Sequence, residues 1–199
     1  MPPPQATPAG GFLAALHRLR PLGAPLAGAL TAAVQRHEHP AGHALLRAGQ
    51  VARRVYFVES GLVHGYVLSP GGREVSSWFM REGDFVISIA SFITQAPSTE
   101  NLELLEPGVV HSLGYDELQA LYVQFPEFNY HGRVLTERYY VLSEQRAYHL
   151  RARTAQERYA QLLVDFPDIF QRVGVRRIAS HLGMAAETLS RLRARRVPK

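Results

Sequence analysis

The chain contains no cysteine in its 199 residues. That excludes disulfide frameworks, thiolate zinc sites and cysteine-ligated iron–sulfur clusters, and it suits a reducing cytoplasm. Nor does it contain a run of about 18 apolar residues, so no segment reads as membrane-spanning and no membrane partner is expected. The opening MPPPQATPAGG lacks a basic stretch ahead of an apolar one, which reads as a disordered tail rather than a secretory signal. No nucleophile–base constellation and no phosphate-cradling glycine loop is present. Ser60-Gly61 and Gly71-Gly72 are turns by context. The expectation is a cytoplasmic chain that is not an enzyme and carries no resident cofactor.

Acidic residues are scarce at one end. The segment 146–199 holds 12 of the 22 Lys and Arg residues but only 4 of the 17 Asp and Glu residues. The net charge of +5 is therefore concentrated in the last quarter. A localised basic field is the electrostatic footprint of a nucleic-acid module.

That basic quarter carries VRRIASHLGMAAETLSRLRARR, Val175 to Arg196. Ile178 and Leu182 are four apart and share a helix face. Gly183 follows, able to take the positive φ of a sharp turn. Leu189 and Leu192 then point inward, leaving Ala186, Glu187, Ser190 and Arg191 on the other side. The pattern predicts a helix-turn-helix. A plain surface hairpin with a solvated basic face is the alternative.

Upstream, Phe12–Leu19 and Pro25–Arg36 have helical spacing, with Leu26, Leu30 and Val34 every fourth residue. From about His37 to Gly114 short β-rich runs alternate with glycine turns: 43–47, 55–59, 62–69, 74–80, 102–106 and 109–113. This rhythm predicts a β-roll or barrel, with Gly71-Gly72 as a hairpin. A short helix over Ala90–Gln95 and the loop Ser98–Asn101 interrupt the strands. Asp116–Gln124 reads as a helix, and a long one runs from after Pro126 to about Arg151. Phe128, Leu135 and Leu142, with Tyr139, form one apolar row; Val134, Val141 and Tyr148 form a second. One row covers the roll and the other pairs with a second copy. The first row, Phe128, Leu135, Tyr139 and Leu142, is taken as the dimer seam. Thr154 with Glu157 predicts a capping box opening TAQERYAQLLVDFP.

The expected class is α+β: an antiparallel β-roll or jelly roll, a long dimerisation helix and a small helical domain. The expected boundaries are 1–24 for a tail and first helix, 25–126 for the roll, 127–151 for the long helix and 152–199 for the helix-turn-helix domain.

This order resembles the CRP/FNR family. So do the roll segments YFVESGLV and REGDF and, most specifically, IASHLGMAAETLSRLR. The resemblance covers about Leu26 to Arg196. It implies a homodimeric regulator that binds a pseudo-palindromic site on double-stranded DNA, with RNA polymerase as a further partner. Gly183, Glu187, Thr188 and Arg191 fall on the family's turn glycine and recognition-helix positions. A carboxylate there accepts from cytosine N4, and an arginine forks onto guanine O6 and N7. Arg176, Arg177, Ala185, Ala186, Ser190, Arg193 and Arg195 complete the expected DNA face. Ala185 and Ala186 stand where the family often has polar contacts, so base and phosphate contact is thinner.

Two departures matter. The family's cyclic-AMP binders use a Gly-Glu pair and a later Arg-Ser/Thr-Ala. Here Gly83-Asp84 partly matches the first, and Pro97-Ser98-Thr99-Glu100-Asn101 holds no arginine. The expected effector pocket, Gly83, Asp84, Phe85, Ser98 and Thr99, therefore lacks the cation for a cyclic phosphate, and its small-molecule effector is unknown. Second, the chain ends at Lys199 without a wing hairpin, leaving Arg193, Arg195, Arg196 and Lys199 to make phosphate contacts. The rival reading is a ligand sensor or a metal-dependent, cupin-like roll enzyme without DNA binding. His37, His39 and His43 lie close together, but the cupin glutamate is missing: His43 and Ala44 occupy its place.

Overall fold

The computed structural model describes residues 10–195. The tail before Gly10, and Arg196 to Lys199, lie outside the described residues. Helices α1 (Gly10–Leu19) and α2 (Ala24–Ala33) lead into eight strands: β1 (Gln35–His39), β2 (Ala44–Leu46), β3 (Arg54–Ser60), β4 (Val63–Leu68), β5 (Glu74–Met80), β6 (Phe85–Val86), β7 (Glu100–Leu104) and β8 (Gly108–Gly114). Helix α3 (Ile89–Thr94) is inserted between β6 and β7. The strands form two four-stranded antiparallel sheets, ordered β1-β8-β3-β6 and β2-β7-β4-β5. Phe57, Val58, Val63, Leu102, Leu104 and Leu113 fill the space between them, joined by Phe12, Leu26 and Leu30 from the first two helices. The α+β jelly roll is as expected.

Two local expectations are corrected. Helix α2 stops at Ala33, and Gln35–His39 pairs with β8 as β1, with Arg36 opposite His111. The run QRHEH has no apolar alternation to announce a strand; it is an edge strand whose side chains stay mostly in water. Strand β6 is two residues long, too short to leave a periodic signal.

Helix α4 (Tyr115–Gln124) and one 3₁₀ turn (Pro126–Phe128) lead into α5 (Asn129–Ala152), 24 residues long. The chain closes with α6 (Ala155–Asp165), α7 (Ile169–Arg172), α8 (Val175–His181) and α9 (Ala186–Arg195). The capping box forms as read. Glu157 N–H donates to Thr154 Oγ1 at 3.3 Å, and Thr154 N–H donates to Glu157 Oε2 at 2.8 Å.

The first row on α5 does not lie open as the expected seam. Phe128 is buried in the roll's core with Leu135 packed beside it, and the Tyr139 hydroxyl donates to the Phe85 carbonyl. Three of the four seam residues therefore cover the chain's own roll. Leu142 is exposed, and so are Tyr140, Val141 and Tyr148, along the side carrying the second row. Periodicity found both rows. It held no information on which faced inward, because either could.

Candidate nucleic-acid interface and its docking on the roll

Helices α8 and α9 meet at a turn where Gly183 takes φ +63°. That backbone conformation favours glycine; a Cβ there would lie 2.9 Å from the tip of the Leu150 side chain, which would have to shift. Ile178, Leu182 and Leu189 are buried with Tyr159, Leu162, Ile169 and Val173 in a second small core. Leu62 and Phe79 of the roll belong to the same core, so this domain is packed onto the sheet through apolar side chains as well as polar ones.

The outer side of α9 is open. Ala185, Glu187, Ser190, Arg191 and Arg193 are exposed, and Ala186 and Thr188 are half-buried. Arg191 donates weakly to Thr188 Oγ1 at 3.4 Å. Among the described residues Glu187 and Arg191 form no ion pair with each other, so both heads are available to a ligand. The Arg193 guanidinium lies 4.4 Å from the centroid of the Phe170 ring. Arg195 is the last residue of α9, and Arg176 is exposed on α8.

Arg177 departs from expectation. Its Nε lies 3.1 Å from Glu74 Oε2 and its Nη2 3.6 Å from Glu103 Oε1, both on the roll. It serves the junction between α8 and the sheet rather than an open DNA face. The junction has three further parts. Ser76 N–H donates to Ser180 Oγ at 3.0 Å. Arg172 forms ion pairs with Glu106 at 2.5 Å and Glu82 at 2.8 Å. Arg146, from α5, donates to the Ser76 carbonyl at 3.0 Å and to the His181 carbonyl at 3.3 Å. One guanidinium thus ties the long helix, the sheet and the first helix of the helix-turn-helix together. Burial lowers the Arg146 pKa to about 10. Burial, then the neighbouring Arg146 charge, lowers His181 to about 3; burial, then Arg177, lowers His64 to about 4. Both imidazoles are therefore neutral at pH 7.

Arg146 and Arg172 were not singled out from the sequence. A signal for Arg146 existed: it follows Leu135, Tyr139 and Leu142 at the spacing of the roll-facing row, where a charge is out of place.

Of the five expected effector residues, Gly83, Asp84 and Phe85 line one cleft of about 820 Å³, which Ser98 and Thr99 do not reach. Gly83 sits exposed in the tight turn before β6, and Asp84 accepts the Arg81 N–H at 3.0 Å. Phe85 packs against Phe12 and Phe57, with ring centroids 5.6 and 5.2 Å away. Ser98 is buried elsewhere, 3.0 Å from Ser88 Oγ, while Thr99 is exposed. The cavity beside Ser88 is about 300 Å³, at the lower edge of small-molecule pockets. The histidines are also placed. His39 and His43 stack with centroids 3.7 Å apart, and His37 Nε2 lies 3.0 Å from Ser112 Oγ. Among the described residues no group of three such side chains is arranged to hold a metal.

Residues 36–125 match the cyclic nucleotide-binding domain family. The fumarate and nitrate reduction regulatory protein of Vibrio cholerae is 27% identical over 165 residues, which is 77% of this chain and 65% of that protein. The chain is thus similar to regulators of the CRP/FNR type, with a cyclic nucleotide-binding-type domain over residues 36–125. Solved structures of the same architecture include the c-di-GMP-responsive global regulator CLP of Xanthomonas campestris, with TM-score 0.70 and 20% identity over 87% of this chain and 91% of that one. FixK2 of Bradyrhizobium japonicum superposes with TM-score 0.72 and 19% identity over 81% of this chain and 83% of its own. In this chain the helices α8 and α9 and the roll are in direct contact, and no helix among the described residues is long and apolar enough to cross a membrane.

Proposed function

We propose that this chain is a dimeric, sequence-specific DNA-binding regulator whose α9 enters the major groove. The observation that carries the reading is the open face of α9. It offers a carboxylate, a hydroxyl and a guanidinium to base edges while Leu189 anchors the helix from behind. Ala185, just before α9, and Ala186, its first residue, supply no polar contact, so Glu187 and Arg191 carry discrimination. Arg176 and Arg193, with the last residues of the chain, supply phosphate contacts. The two-fold partner docks on the α5 side bearing Val141 and Tyr148. The roll does not take cyclic AMP: no arginine lies in the 97–101 loop, and Ser98 is spent on Ser88 and on the Glu100 N–H at 2.9 Å. The site of action is the cytoplasm, and RNA polymerase is the natural partner of a regulator of this type.

Retention of DNA by the purified chain tests the reading. Replacing both Glu187 and Arg191 with Ala should abolish sequence preference and leave weak, salt-sensitive binding. Unchanged preference in that variant would reject α9 as the reader. Calorimetry with cyclic AMP should show no heat of binding.

A further inference from the structure

A cleft of about 820 Å³ separates α1, the end of β5, α5 and α6. It is distinct from the roll's interior and from α9. Five arginines line it; Arg146 and Arg158 donate to backbone carbonyls, and the other three come from three different elements: Arg18 from α1, Arg81 from the turn after β5, and Arg138 from α5. None of the three has a carboxylate partner within ion-pair distance among the described residues. Elsewhere on this molecule Arg36, Arg133, Arg172 and Arg177 are each paired with a carboxylate. Two carboxylates line the cleft. Asp165 accepts from Gln161 Nε2 at 2.9 Å, and Asp84 accepts from the Arg81 N–H. Two carboxylates do not balance five arginines. The cleft therefore holds an excess of uncommitted guanidinium.

We propose that this cleft binds a compact polyanion bearing two or more phosphoryl or carboxylate groups. Guanidinium forks match either oxyanion in a bidentate fashion, and three forks from separate elements fit an ion with several charged groups better than a single one. Such an ion bridges the roll, the long helix and α1. Arg81 also lies over the Phe166 ring at the end of α6, 4.6 Å from its centroid, so a bound anion that moves Arg81 is felt by the domain carrying α9. As a binding site this stands apart from DNA reading; as an effector site it rests on the regulator assigned above.

The chain provides its own probe. Trp78 is the single tryptophan, lines the cleft, and has the Arg146 guanidinium 5.7 Å from its ring centroid. Its emission is followed in the full chain, without DNA, during titration with pyrophosphate and, separately, with citrate. A saturable change is expected with at least one. Pyrophosphate alone identifies a phosphoryl ligand and citrate alone a carboxylate one. Replacing Arg81 and Arg138 together with Gln should weaken that binding about tenfold or more, since each lost charge-assisted hydrogen bond is worth on the order of a tenfold change. Arg138→Gln alone, at an exposed side chain, serves if the double variant does not fold. No saturable response to either ion, the same response to sodium chloride at equal ionic strength, or undiminished binding in the variants would overturn the proposal. DNA retention is measured separately on the same variants, so loss of one activity is not mistaken for loss of the other.

Discussion

Arg177 of α8 and Glu74 of β5 face each other at 3.1 Å, joining the first helix of the helix-turn-helix to the roll's sheet. Both side chains are about a third exposed, at 34% and 39%, so the pair adds little to stability but sets what Arg177 can touch. A guanidinium held by Glu74 and Glu103 is withheld from a DNA phosphate. Arg177→Ala is therefore expected to leave the salt slope of DNA binding nearly unchanged. Glu74→Gln should steepen it by up to about 1, as one more cation becomes free to displace a counterion. Binding measured across a salt series checks both.

Arg191→Ala should cost about 1–3 kcal/mol and relax preference at one base pair, the signature of a lost bidentate contact. A uniform loss across all sequences would instead mark Arg191 as a phosphate contact.

Arg146 predicts coupling. Its removal leaves the Ser76 and His181 carbonyls without their donor, a cost of about 1–3 kcal/mol for buried groups. Arg146→Ala is also expected to split thermal unfolding into two transitions, roll and helical domain, against a single transition expected of the parent chain. Calorimetric scanning reads this directly.

The buried histidines predict acid sensitivity. His181 titrates at about 3 and His64 at about 4 when folded, against about 6.5 when unfolded. The unfolded chain binds more protons between those values. Stability is therefore full above pH 6.5 and falls as the pH drops from there towards 4. His181→Gln should flatten that decline in denaturant titrations at a series of pH values.

Much of this was legible from residue spacing alone. The roll, the long helix, the capping box and the turn at Gly183 each follow from a pattern within a few residues. What stayed hidden depends on contacts between distant segments. Arg177 and Arg191 look alike in the sequence, yet one meets Glu74, 103 positions away, and the other faces outward. The row expected at a dimer seam packs on the roll instead, an inversion the spacing hides because Leu135 and Val134 are both apolar. Gly83, Asp84 and Phe85 share a cleft, but Ser98 lies apart from them, because no local rule in the sequence joins the 83–85 turn to the 97–101 loop.

That inversion gives its own test. Val141→Glu with Tyr148→Glu should yield a folded monomer by sedimentation, since both side chains are exposed, at 51% and 58%. Leu135→Ala should instead lower stability and leave the dimer intact.

The central claim is that α9 reads DNA as part of a two-fold pair. Selection of bound sequences from a random pool by the purified chain tests it most directly. The account predicts a pseudo-palindrome with half-sites about one helical turn apart, and loss of one symmetric position in each half with Arg191→Ala. A pool without two-fold symmetry, or one identical for the parent and the variant, would contradict it.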